Sequence, residues 1–299
     1  MTKLETIVAA LLGEQSREET AKRDAKAFQQ NLDRVTPEAM KQLTPKDIAD
    51  HMRSVYDETA NAYAENPHTQ HVVDEIVEFM NLMPDNGIVL DAGCGTGRDA
   101  CYMACNEGSC RAPFMERKRK GIKTIDRYAV PKNACFVVAI DGSKDLLDHA
   151  IERYKNLRRQ SQKRLPITFV IGDIHQLQLP HISAFAPFDG IWSCTALFTH
   201  TPEALVDPVL KDIAKLLKPG GIFFTSYTNG AVAGPYDKLL ASQTGRIKYF
   251  SQPDPKDIAE RAKQAGLALA KQTFGDFEVN DKVIKPNLFV SQFFVKPAR

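Results

Sequence analysis

The sequence predicts an α/β fold around a largely parallel sheet, and three observations carry that prediction. Ile88-Val89-Leu90 ends in Asp91 and runs into Gly93, Gly95 and Gly97, the way a buried strand passes into a turn that cradles a ligand. Further apolar runs at 136–140, 167–171, 188–193 and 222–224 alternate with stretches of helical periodicity. The 299 residues suffice for one large α/β domain with an appendage, or for two small ones.

Residues 1–45 are polar and helical, with a capping box at Ser16–Glu19 and Ala21, Ala25 and Phe28 at helical spacing; they read as an extension ahead of a domain over 46–299. Thr44-Pro45 supplies an N-cap and a proline at the first helical position. Ile48, Met52, Val55, Tyr56, Ala60 and Tyr63 then mark one helix face, which Pro67 ends. Val72, Val73, Ile76, Phe79, Met80 and Met83 mark the next helix, and Pro84–Gly87 turns it into the first strand. Behind the glycine turn, Ala100, Met103 and Ala104 give a short helix its apolar face, with Cys101 and Cys105 one turn apart as small buried residues.

An acid is expected about twenty residues beyond such a turn, at the end of strand two. Asp141 comes 44 residues after Gly97, so the chain carries an insertion over roughly 107–132. Asp126 competes for that place, but Phe136–Ile140 is the stronger buried strand and Ser143 follows Asp141 as a good N-cap. The insertion holds Arg117-Lys118-Arg119-Lys120, the densest basic cluster, on the side of the sheet away from the ligand crevice; it reads either as a solvated loop or as a docking patch for an acidic partner or nucleic acid.

Leu146 to Tyr154 mark a helix, 167–171 a third strand leaving through Gly172-Asp173-Ile174, and Phe188–Ser193 a fourth leaving through a turn at 194–200. Thr201-Pro202 opens a helix that Leu217-Lys218-Pro219-Gly220-Gly221 closes before strand five. Segment 228–250 offers Tyr236, Arg246 and Tyr249, with Tyr227 just ahead of it, and the family resemblance given below implies that it faces a substrate; Asp254-Pro255 starts a helix reaching Gly266, and 267–274 and 288–295 form the final strand pair.

Composition narrows the partners. With 43% hydrophobic and 25% charged residues and a net charge of +2, the chain is an ordinary globular one with no general electrostatic case for nucleic acid. No run spans a bilayer, and Ile7–Leu12 is too short for a secretory core. Six cysteines lack both a disulfide framework and C-x-x-C pairs, so they read as reduced thiols in a cytoplasmic protein with no metal ligand set.

The glycines do not fit the dinucleotide spacing, because Arg98 stands where a third glycine or alanine belongs. Val89-Leu90-Asp91-Ala92-Gly93-Cys94-Gly95-Thr96-Gly97 instead resembles the first motif of the class I S-adenosylmethionine-dependent methyltransferases. Tyr56-Asp57-Glu58-Thr59-Ala60-Asn61-Ala62-Tyr63 resembles the stretch that small-molecule members carry ahead of it, Asp141-Gly142-Ser143 their second motif, and Leu217–Gly221 a recurrent turn. The resemblance covers about 48–297 with the motifs in order. It implies a Rossmann-like seven-stranded sheet of order 3-2-1-4-5-7-6 and S-adenosyl-L-methionine as cofactor.

Residue roles follow from the same resemblance. Asp91, Gly93, Gly95 and Gly97 belong to the loop around the methionine end; Asp141, with Ser143, receives the ribose hydroxyls; Asp173 and Ile174 meet the adenine; Ser193, at the end of strand four, joins them. Tyr56 and Tyr63 either pack over the cofactor mouth or are core residues. His200 is the base candidate, because free histidine accepts a proton near neutral pH, or else it caps the next helix; Tyr63 is the second candidate at the reacting centre. The implied activity is methyl transfer to an O or N atom of a small molecule. An RNA or protein methyltransferase docking through the insertion, and a non-catalytic scaffold that has kept the fold, are the alternatives.

Overall fold

The computed structural model describes residues 2–12, 29–30, 32–33, 35, 40, 42–66, 74–105, 134–162, 164–233, 237–241, 246–279 and 282–298. The Ser16–Glu19 capping box, Ala21, Ala25, Phe28, Pro67, Val72, Val73, the basic insertion, Asp126 and Tyr236 lie outside them.

Helix α1 (Lys3–Leu12) is followed by α2 (Pro45–Glu65), and α3 (Glu75–Leu82) leads into β1 (Ile88–Ala92) and α4 (Arg98–Ala104). The capping of α2 is complete: Thr44 Oγ1 accepts the Asp47 N–H, and the Asp47 carboxylate accepts the Thr44 N–H. Next come β2 (Phe136–Asp141), α5 (Lys144–Ser161), β3 (Ile167–Ile171), α6 (Pro180–Ser183), β4 (Phe188–Cys194), α7 (Leu197–His200), α8 (Val206–Leu216) and β5 (Leu217–Thr228). The chain closes with α9 (Gly230–Ala233), β6 (Asp237–Ala241), β7 (Ile247–Ser251), α10 (Pro255–Gln264), β8 (Ala268–Val279) and β9 (Lys282–Val295).

Seven strands form one sheet in the order β3-β2-β1-β4-β5-β9-β8, with β6 and β7 paired separately as a hairpin. Leaving that hairpin aside, the order is the expected 3-2-1-4-5-7-6. Strands β1 to β5 are parallel and β9 antiparallel to both its neighbours. Val89, Leu90, Val137–Ile140, Ile191, Trp192, Phe223 and Phe224 are buried from both faces, as the strands of a doubly covered parallel sheet must be. Trp192, the single tryptophan, stacks on Phe224 with ring centroids 4.0 Å apart and donates its indole N–H to Asp99 at 2.9 Å.

Two details depart from the sequence reading. The helix expected from Thr201-Pro202 starts as a 3-10 turn at Glu203–Leu205 and becomes α-helical only at Val206. Cys105 is disulfide-bonded, which corrects the reading of all six cysteines as reduced, while Cys94, Cys101, Cys135 and Cys194 carry free thiols.

The hairpin, which the sequence did not announce, packs with α1 and α2 rather than on the sheet. Leu4 and Val8 of α1, Ile48 and Met52 of α2, Leu239, Ile247 and Tyr249 share one apolar cluster. Buried His51 ties the three together, accepting from Thr2 Oγ1 at 2.8 Å through Nδ1 and donating from Nε2 to the Ile247 carbonyl at 2.8 Å. Arg246 adds an ion pair to Glu5 at 2.7 Å and another to Glu58. This assembly lies over the carboxyl ends of the parallel strands. No helix among the described residues is long and apolar enough to cross a membrane.

Candidate functional site

At the crevice beyond the strand ends, a cavity enclosing about 740 Å³, its open mouth included, lies between the strand-exit loops and α2. Gly93, Gly95, Asp141, Gly142, Ser143, Asp173, Ile174, His175 and the turn Cys194–Ala196 form the floor; Met52, Arg53, Tyr56 and Tyr63 of α2 form the roof, with His200 at one side.

Each floor residue is fixed by backbone chemistry. The loop after β1 turns back through positive φ at Gly93 (84°), Gly95 (52°) and Gly97 (70°). A Cβ on Gly93 would stand 2.3 Å from the Ala196 Cβ, so this loop and the turn after β4 touch only because residue 93 has no side chain. A Cβ on Gly95 would enter the space below Tyr63, 3.6 Å from its Cε1, which leaves a cradle open under the roof. Asp141, the last residue of β2, accepts the Gly95 N–H on one oxygen and the Ser143 N–H on the other, both at 2.9 Å. Burial pushes its pKa up, and these two N–H groups pull the other way. Asp141 also lines the cavity, and a carboxylate has lone pairs beyond these two for hydroxyl donors of a ligand. Asp173 accepts the His175 N–H at 2.9 Å, and its carboxylate lies 3.0 Å from His175 Nδ1; the two together hold its pKa low against burial.

The roof is tied to the floor by Asp57, a member of the Tyr56–Tyr63 stretch to which no role is assigned above. The Ser143 hydroxyl donates to its carboxylate at 2.6 Å and accepts the Leu146 N–H as the N-cap of α5. Tyr56 and Tyr63 meet edge to face with centroids 6.0 Å apart. Both phenols are held neutral by burial, Tyr63 with its pKa pushed up to about 12.

His200 differs from the expectation placed on it. It is buried, its Nδ1–H donates to the Tyr249 carbonyl at 2.9 Å, and its Nε2 accepts the Tyr56 hydroxyl at 2.9 Å. Burial lowers its pKa to about 3, so the imidazole is neutral and engaged at both nitrogens rather than poised near pH 7.

The structure thus brings Tyr56, Tyr63, Gly93, Gly95, Asp141, Ser143, Asp173, Ile174 and His200 to one cavity. It places Asp91, Gly97 and Ser193 behind that wall. Gly97 caps α4 against Ala150, where a Cβ would come within 2.8 Å. Ser193 Oγ donates to the Ala92 carbonyl at 2.9 Å and accepts the Leu197 N–H at 3.0 Å, fixing the turn after β4. Asp91 is buried beneath the loop, accepts the Ala100 N–H and leaves Oδ2 without a hydrogen bond; burial and nearby Asp99 raise its pKa well above the usual carboxylate range. Beside it Arg98 makes a two-pronged pair with Asp99, at 2.7 and 2.8 Å.

Residues 84–265 match the family described as a methyltransferase domain. Over 120 residues the chain is 25% identical to the mouse (Mus musculus) tRNA (carboxymethyluridine(34)-5-O)-methyltransferase ALKBH8, a stretch covering 36% of this chain and only 18% of that protein. Among solved structures, the Burkholderia thailandensis 1,6-didemethyltoxoflavin-N1-methyltransferase, with its acceptor and S-adenosylhomocysteine bound, superposes with a TM-score of 0.55 at 18% identity, covering 85% of this chain and 91% of that one. The CcbJ methyltransferase of Streptomyces caelestis gives 0.53 at 16%, over 81% and 97%. A 4+2 cyclase, SpnF, gives 0.54 at 15%, over 83% and 96%, so this fold by itself does not dictate the chemistry.

Proposed function

The chain belongs to the methyltransferase-domain family, a class I S-adenosylmethionine-dependent methyltransferase, and we propose that it methylates an O or N atom of a small-molecule acceptor. The observation that carries this reading is the roofed cavity. The donor and acceptor groups suited to a nucleoside line its floor, and α2 covers it closely enough that an acceptor must be small or present only a slender end.

The residues fit the cofactor. Asp141 has lone pairs left for two ribose hydroxyls. Asp173 and Ile174 sit at the exit of β3, where an exocyclic amine would meet a carboxylate, and the glycines at 93 and 95 leave room for the methionine end. Asp91, Gly97 and Ser193 serve the site from behind by fixing the loop and the turn. When bound, S-adenosylmethionine supplies a methyl group already activated by a sulfonium centre. The protein then has to align the acceptor atom about 3 Å away and exclude water. Tyr56 and Tyr63 do both, since their rings close the cavity over the glycine loop and offer aromatic faces to a cation. His200 holds Tyr56 through a neutral hydrogen bond and thereby sets the roof's position.

The partial likeness to a tRNA methyltransferase supports a second reading, in which the acceptor is a base of an RNA and Arg117–Lys120 bind its backbone. Transfer of labelled methyl from S-adenosylmethionine into separated small-molecule and RNA pools tests both. Label in the small-molecule pool is expected; label confined to RNA replaces the first reading with the second, and label in neither, from protein that binds the cofactor, refutes both.

A further inference from the structure

His175 follows Asp173 and Ile174 out of β3, and its side chain is only 7% exposed. It lines the cavity. Of the described side chains in that lining, His175 alone has buried polar atoms that make no hydrogen bond, and these are both of its ring nitrogens. Leaving a buried polar atom unpaired is costly, and few in native proteins go without a partner. The imidazole is therefore built to meet a group that enters the cavity.

Asp173 determines what kind of group fits. Its Oδ1 accepts the His175 backbone N–H at 2.9 Å and stands 3.0 Å from the ring's Nδ1. A carboxylate in that place favours the tautomer with its proton on Nδ1, which leaves Nε2 with a lone pair. The second carboxylate oxygen, Oδ2, has one long contact among the described residues, 3.4 Å from the Gln176 amide nitrogen. Other nitrogen groups of the lining are engaged elsewhere: Arg53 of α2 pairs with Asp50 at 3.3 Å, and His200 uses both ring nitrogens. Two acceptors, Asp173 Oδ2 and His175 Nε2, thus remain for the donors of a ligand at the exit of β3.

Resting on the cofactor reading above, we infer that His175 is a specificity-determining residue: its Nε2 accepts one hydrogen of the adenine amine while Asp173 Oδ2 accepts the other. The resemblance to known methyltransferases gives the adenine only to Asp173 and Ile174, and His175 adds a second acceptor to the same nitrogen. A purine amine offers two N–H donors from one atom. A hypoxanthine base carries a carbonyl oxygen there, which would face two acceptors and satisfy neither. Moving the ring proton to Nε2 does not rescue that base, because Nδ1 would then turn a lone pair on the Asp173 carboxylate. Buried polar groups left unpaired reject a wrong ligand far more strongly than a misfit of size does.

The test is calorimetric titration of the full chain with S-adenosylhomocysteine and with S-inosylhomocysteine, in which a carbonyl oxygen replaces the amine. Wild type should prefer the adenosyl ligand at least about a hundredfold. His175→Leu should bind the adenosyl ligand about three- to tenfold more weakly, the worth of one neutral hydrogen bond, and the inosyl ligand no more weakly than wild type does. The altered ring nitrogen of hypoxanthine is common to both proteins and cancels in the comparison. His175→Gln, whose amide oxygen can take the same hydrogen, should keep the adenosyl affinity within threefold; its amide can also turn its NH₂ to the inosyl carbonyl, so its preference should shrink. A thermal melt checks that each variant is folded. Equal weakening of both ligands by His175→Leu overturns the inference, since a purely structural histidine would act so. An unchanged preference in His175→Leu also overturns it, and unchanged affinities together with lost methyl transfer would give the ring to the acceptor instead. Absence of S-adenosylhomocysteine binding by folded wild type overturns the cofactor reading and this inference with it.

Discussion

Asp141→Asn is the sharpest perturbation of the proposed cofactor site. The wild-type carboxylate accepts the Gly95 and Ser143 N–H groups, one on each oxygen, at 2.9 Å. An asparagine keeps one oxygen and presents an NH₂ to the other N–H, so at least one hydrogen bond to a charged acceptor disappears, worth about 1.5–3 kcal/mol. In the free protein, relief of a buried charge offsets part of that loss, because burial already disfavours the ionised form. With ligand bound there is no such offset, since the same group must also accept the ribose hydroxyls. Affinity for S-adenosylmethionine and S-adenosylhomocysteine should therefore fall about 10- to 100-fold, or about 1.4–2.7 kcal/mol. Calorimetric titration measures it, with circular dichroism and a thermal melt confirming that the variant is folded. A second arm uses pH. Wild-type affinity should weaken as pH falls through the raised pKa of Asp141, whereas the asparagine variant should lack that dependence. Equal affinities in wild type and folded variant would refute the assignment of Asp141 to the ribose.

Three further outcomes follow from the site's geometry. Gly93→Ala should destabilise the fold by about 2–5 kcal/mol in urea denaturation, combining positive-φ strain with the 2.3 Å approach to Ala196, and clearly more than Gly95→Ala, whose added methyl meets only Tyr63 at 3.6 Å; equal losses would contradict the packing described. Because the folded pKa of His200, about 3, lies below its ordinary 6.5, the unfolded chain takes up the proton first as pH drops. The contribution of His200 is complete above pH 6.5 and is lost at about 1.4 kcal/mol per pH unit below it, so wild type should lose about 2 kcal/mol by pH 5 that His200→Gln does not; parallel profiles would show the imidazole is exposed. Tyr56→Phe leaves the buried His200 Nε2 without a donor and should lower stability by about 1–3 kcal/mol, with no loss on chemical denaturation arguing against that bond.

Much of the sheet and of the cavity floor was legible because those features are local. Asp141 ends a run of buried β residues and Ser143 caps the following helix, so two adjacent signals locate one carboxylate. Thr44-Pro45 with Asp47 marks the start of α2 unaided. What was not legible depends on distant partners. The strands of the β6–β7 hairpin are short and interrupted by Asp237, Lys238 and Lys248, and they are held by α1 and α2 rather than by an alternating pattern of their own. The pKa of a free imidazole says nothing of His200, whose state is set by the Tyr249 carbonyl and the Tyr56 hydroxyl, 49 and 144 residues away in the chain. Asp57 looks like any exposed helix acid until α2 is seen lying over Ser143. Ser193 and Gly97 carry the right residue types in the right motifs but work on the far side of the wall.

Trp192 gives the molecule an optical reporter that needs no labelling. Its indole N–H is held by Asp99, whose carboxylate also grips Arg98 at the start of the helix that follows the glycine loop. Any ligand that shifts this loop must strain or relax the one indole hydrogen bond in the protein, and so change its emission. Since no other tryptophan contributes background, a fluorescence titration can follow occupancy of the crevice. It can do so in stopped flow as well as at equilibrium, before any acceptor has been identified.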